Sequence, residues 1–141
     1  MSINIDNVPK WVRVAVGILA LLNIAFGVMS YIDIHVLFHE GTGVDFSNPF
    51  IKNANFEFAA RNLAIGLAMA FVTKIKGAPE ALVILTIVRA LIEIQTIIIA
   101  IVQGNINAML LVPIAFLVFE IFIIKALIVV IEKEEASQKQ A

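Results

Sequence analysis

The chain has 141 residues, of which 61% are hydrophobic and only 15% charged, whereas soluble domains are apolar over about 45–50% of their residues. That excludes a soluble domain and points to one small integral membrane domain covering 1–141. A net charge of -1 speaks for no polyanionic partner and against nucleic-acid binding, and zero cysteines exclude disulfides, thiol relays and thiolate-bound metals.

Four apolar stretches are each close to the roughly 20 residues a helix needs to cross the bilayer. They predict spans at about 11–34, 55–73, 80–102 and 108–131, an outer loop at about 35–54 and a cytoplasmic tail at 132–141. The first follows Lys10 and Arg13, and its apolar run is too long for a signal peptide, so it is expected to be a retained anchor. Asn53 or Asn55 is expected to cap the second span, and Lys74-Ile75-Lys76-Gly77 to end it. Pro79 suits the first turn of the third span, which Gly104 ends, and Asn105 or Asn107 can cap the fourth.

Lys10, Arg13, Lys74, Lys76, Lys133 and Lys139 fall on one side and Lys52 on the other, which places both termini in the cytoplasm. Short connections make consecutive helices antiparallel neighbours, so the expected fold is an all-α, antiparallel four-helix bundle in contact with membrane lipids. The outer loop mixes His35, His39, Glu40 and Asp45 with bulky apolar residues and is a candidate lid. His35 and His39 also stand four apart, as metal ligands on one helix face would, but a surface or mouth-lining role is expected for them and no cofactor is called for. Pro113, inside the fourth span, removes the bond to the Met109 carbonyl and is expected to loosen that helix. Gly66, with Ala59, Ala64, Ala68 and Ala70, offers the second helix a small-residue surface.

Function is to be sought in five ionisable residues inside apolar stretches: Glu57, Arg61, Arg89, Glu93 and Glu120. Glu57/Arg61 and Arg89/Glu93 are each spaced i,i+4, so each pair shares a helix face. Counting the helical rise from the outer ends puts Arg61 about 9 Å deep, Glu93 about 13 Å, Glu120 about 18 Å and Arg89 about 20 Å. That predicts Arg61–Glu93 and Arg89–Glu120 pairs in a ladder descending from the mouth, with Asn23, Asn62, Gln95 and Thr96 supplying neutral hydrogen bonds. Three acids against two bases leave one carboxylate, Glu120 or Glu93, to carry a proton or to await a cationic or donor ligand. The same network could instead only hold helices in register. No glycine-rich phosphate loop and no Ser-His-Asp set is present to suggest catalysis.

Four spans, a longer first outer loop and the run Arg61-Asn62-Leu63-Ala64-Ile65-Gly66 resemble the DoxX-like group of small four-helix membrane proteins. The resemblance implies an antiparallel bundle in a prokaryotic cytoplasmic (inner) membrane, in a group that includes oxidoreductase accessory subunits and receptor-assembly chaperones. Arg89, Glu93 and Glu120 do not map onto that group's pattern. The expected function is non-catalytic binding of a small polar or amphipathic molecule, or a lipid headgroup, in an outward-facing pocket lined by Glu57, Arg61, Asn62, Arg89, Glu93, Glu120 and Asn23. The alternatives are a proton- or ion-coupled transporter acting as a homo-oligomer, and a membrane enzyme working on a lipid or quinone.

Overall fold

The computed structural model describes residues 5–32, 47–74, 78–102, 104, 106 and 108–140. They form four long helices, α1 (Lys10–Ile32), α2 (Pro49–Val72), α3 (Ala78–Val102) and α4 (Leu111–Gln140), with short 3-10 turns at Ile5–Asn7 and Ala108–Leu110. No strand occurs among the described residues.

The helix ends follow from local chemistry. The Pro9 carbonyl accepts from the amides of Val12 and Arg13, opening α1. α2 starts earlier than the expected cap at Asn53 or Asn55. Asn48 caps it, its Oδ1 accepting from the Phe50 amide at 3.0 Å, and Pro49 takes the first helical position, where its missing N–H costs nothing. Residues 49–54, expected in the outer loop, are therefore helical. Gly104, at φ 71°, reaches back to the Ile101 carbonyl beyond the end of α3, a left-handed stop that glycine adopts without strain. Pro113 lies in the first turn of α4, where amides have no intrahelical acceptor, so the expected loosening of that helix's outer half does not arise. α4 continues unbroken through the charged tail to Gln140.

Among the described residues, three helices are long and apolar enough to cross a membrane: Lys10–Ile32, Pro79–Val102 and Leu111–Lys139. Their outward faces carry large apolar side chains such as Leu21, Ile98, Val102, Leu111 and Phe122, a surface suited to lipid contact. α2, at 24 residues, has the length. Its Asn53, Asn55, Glu57, Arg61 and Asn62 dilute the apolar run, and it is not one of the three.

The chain divides into two compact units, Gly17–Phe71 and Met1–Val16 with Val72–Ala141. In the first, α1 and α2 pack backbone to backbone. A Cβ on Gly27 would fall 2.8 Å from the Leu63 amide nitrogen and 2.9 Å from the Ala59 carbonyl; one on Gly66 would fall 2.8 Å from the Ala20 carbonyl. Such an approach is open only to glycine. Asn55 donates to the Ser30 carbonyl at 2.8 Å, and Tyr31 stacks on Phe56 at 5.8 Å. The contacts rise along α1 as they fall along α2, so the two run antiparallel. Gly66 and Ala59 of the expected small-residue surface serve this contact, whereas Ala64 is exposed.

In the second unit α3 packs on α4. Leu82, Thr86, Ile123 and Leu127 are buried, and the Thr86 hydroxyl is satisfied by the Leu82 carbonyl of its own helix at 2.7 Å. At the chain's start, Asn7 donates to the carboxylate of Glu134 near the end of α4.

Candidate functional site

The i,i+4 spacing of Arg89 and Glu93 puts both side chains on one face of α3, and Arg89 Nη2 donates to Glu93 Oε1 at 2.7 Å. On α4, Phe116 and Glu120 have the same spacing. The Arg89 guanidinium lies over the Phe116 ring, 5.4 Å from its centre, and Arg89 Nε approaches Glu120 Oε1 at 2.9 Å. One guanidinium thus serves two carboxylates and an aromatic face, the planar, multivalent role for which arginine is better suited than lysine.

All three charges are shielded: Arg89 and Glu93 are each 8% exposed and Glu120 is 0% exposed. The Arg89–Glu120 approach has ion-pair distance without hydrogen-bond alignment. Apart from the Arg89 guanidinium, no donor among the described residues reaches either Glu120 oxygen. A buried carboxylate in this condition is costly, because the donors that water supplied have not been replaced. The cluster also carries two acids to one base. Its arrangement can hold a proton, or accept a group that donates hydrogen bonds or carries positive charge.

Phe116 has a second neighbour. With Leu111, Val112, Ala115 and Phe119 it lines an open apolar groove of about 420 Å³ along the first turns of α4. The sequence reading missed both Phe116 and the groove; the signal available was an aromatic one turn before Glu120.

The remaining expected site residues lie in the Gly17–Phe71 unit. Arg61 pairs with Glu57 on its own helix at 3.3 Å, with side chains 68% and 72% exposed respectively. Asn62 donates to the Phe58 carbonyl at 2.9 Å and the buried Asn23 to the Leu19 carbonyl at 2.7 Å. Of the two expected pairs, Arg89–Glu120 is present, joined by Glu93, whereas the acid at Arg61 is Glu57. Thr96 and Gln95 are exposed on α3, and Thr96 bonds its own helix at Ile92. His35 and His39, with the rest of the loop at 33–46, lie outside the described residues, as do Asn105 and Asn107.

Compared with known proteins, the chain matches no family model, no curated protein and no solved structure. Its function is therefore argued from its own chemistry.

Proposed function

We propose that this is a four-crossing membrane protein that binds a small amphipathic molecule or lipid headgroup bearing a cationic or hydrogen-bond-donating group. The observation that carries this reading is Glu120: fully buried, beside one guanidinium shared with Glu93, and with no hydrogen-bond donor other than that guanidinium among the described residues. A donor group reaching this carboxylate offsets its lost hydration and the excess of acid over base. The neighbouring groove suits the apolar part of the same molecule, since Phe116 borders both.

A parity argument supports the fourth crossing. Asn7, just before α1, bonds Glu134, near the end of α4, so the chain enters α1 and leaves α4 on one side of the bilayer. Crossings must then be even in number, and α1, α3 and α4 need α2 as the fourth. Lys10, Arg13, Lys133 and Lys139 cluster at that end, which orients it to the cytoplasm. Placement in a prokaryotic inner membrane, as an antiparallel four-helix bundle, follows from the DoxX-like resemblance. Maleimide labelling of Ser47→Cys and Lys74→Cys from the two sides of sealed vesicles tests the crossing: the two positions should label from opposite sides, and labelling from one side refutes it.

Native mass spectrometry of the protein released from nanodiscs tests the ligand. The expected result is a bound amphipath carrying an amine or hydroxyl donor, retained by the wild type and lost from Glu120→Gln and Phe116→Ala. A bare wild-type mass refutes binding. The 2:1 ratio of carboxylate to guanidinium also favours a second reading, proton- or ion-coupled transport, which predicts pH-gradient-driven flux in proteoliposomes that Glu120→Gln abolishes.

A further inference from the structure

Cationic groups come in two kinds that place different demands on a site. A primary or secondary ammonium presents N–H donors, whereas a quaternary ammonium presents only carbon-bound hydrogen and is held by the faces of aromatic rings. The residues around Glu120 tell the two apart. Its carboxylate is 0% exposed, and the Arg89 guanidinium approaches Oε1 at 2.9 Å without hydrogen-bond alignment. This carboxylate therefore lacks hydrogen-bond donors as well as counter-charge. The aromatic surface beside it is already in use, because the Arg89 guanidinium lies over the Phe116 ring, 5.4 Å from its centre. Access is narrow too: Arg89 and Glu93, which share this cluster, are each 8% exposed.

We propose that the group taken at Glu120 is a primary or secondary ammonium and that the site discriminates against quaternary ammonium. The inference rests on the proposed binding at Glu120 and narrows the class of ligand. An alkyl ammonium keeps its proton at pH 7, as the lysine side chain does, so it brings the positive charge that two acids sharing one base call for. Its N–H groups reach carboxylate oxygens directly, in the short, charge-assisted bonds that are the strongest of their kind. In a quaternary ammonium the alkyl groups hold the charge away from the carboxylate and leave both Glu120 oxygens without a new donor. Its usual compensation, an open aromatic face, is the one Arg89 occupies. A hydroxyl donates one hydrogen bond and leaves the excess of acid in place. The favoured chemistry is found both in single-chain amines and in the aminoethyl headgroup of a phospholipid.

The test compares matched probes on the unaltered chain, so it does not depend on a variant folding. The wild type in phosphatidylcholine nanodiscs is offered dodecylamine, dodecyltrimethylammonium, dodecanol or phosphatidylethanolamine at equal mole fraction, and native mass spectrometry reads what stays bound. The expected result is at least about tenfold more bound dodecylamine than dodecyltrimethylammonium, the difference that a single charge-assisted hydrogen bond makes. Dodecanol should be retained less than dodecylamine, and Glu120→Gln should bind the two dodecyl ammonium ions alike. Retention of phosphatidylethanolamine assigns the ammonium to a lipid headgroup; retention of dodecylamine without it assigns a single-chain amine. Equal retention of the two ammonium ions by the wild type, or a preference for the quaternary one, overturns the proposal, as does a preference for dodecylamine that survives in Glu120→Gln. Stronger retention of dodecanol also overturns it, but leaves binding at Glu120 standing. A wild type that keeps none of the four probes refutes the binding reading itself, so the two failures are distinguishable.

Discussion

Arg89 on α3 and Glu120 on α4 approach to 2.9 Å, Nε to Oε1, in a contact almost closed to solvent. It joins two helices, and the same guanidinium is anchored on its own helix by Glu93 at 2.7 Å. The geometry makes the three residues energetically inseparable.

Removing the base should be the most damaging change in this cluster. Arg89→Leu leaves two buried carboxylates with no counter-charge, and stranding a buried charge typically costs about 3–5 kcal/mol. Denaturant titration in detergent micelles should show a loss of that order, and a variant as stable as wild type would contradict the pairing.

The acids should be non-additive. Glu93→Gln or Glu120→Gln alone still leaves Arg89 one carboxylate, so each is expected to cost about 1 kcal/mol. The double variant takes both carboxylates from the guanidinium and should lose at least about 2 kcal/mol more than the sum, a coupling read directly from a double-mutant cycle. Additive losses would mean that the acids do not share one partner.

Glycines should separate by environment. Gly27→Ala and Gly66→Ala each drive a Cβ to within 3 Å of backbone atoms on the facing helix, so both should lower thermal stability. Gly17→Ala meets nothing within 4 Å and should be neutral, or raise stability by up to about 1 kcal/mol through better helix propensity. A melting series on the three variants decides this; the opposite ranking would contradict the close α1–α2 approach.

Asn48→Ala should fray the start of α2. Loss of a side-chain N-cap costs about 0.5–2 kcal/mol, and faster hydrogen exchange is expected over Phe50 to Asn53 with α3 and α4 unchanged. Unaltered exchange there would place the helix start elsewhere.

The length and apolarity of α1, α3 and α4 and the i,i+4 pairings Arg89/Glu93 and Glu57/Arg61 were legible in the amino-acid sequence, because hydropathy and helical spacing are properties of a local stretch of chain. Depth counting also matched Glu120 with Arg89, since the rise per residue is constant whatever the neighbours. The same counting matched Arg61 with Glu93, whereas the acid that Arg61 meets is its i,i+4 neighbour Glu57, because depth says nothing about how a helix is rotated about its axis. That rotation, and with it the burial of Glu120, the seating of Arg89 on Phe116 and the closeness of α2 to α1 at Gly27, is set by which side chains and backbone atoms interlock across helices. The start of α2 at Asn48 was readable from Asn-Pro but was hidden by the polar residues that follow it. Only tertiary packing decided which charges are shielded and which are displayed, because shielding depends on neighbours far away along the chain.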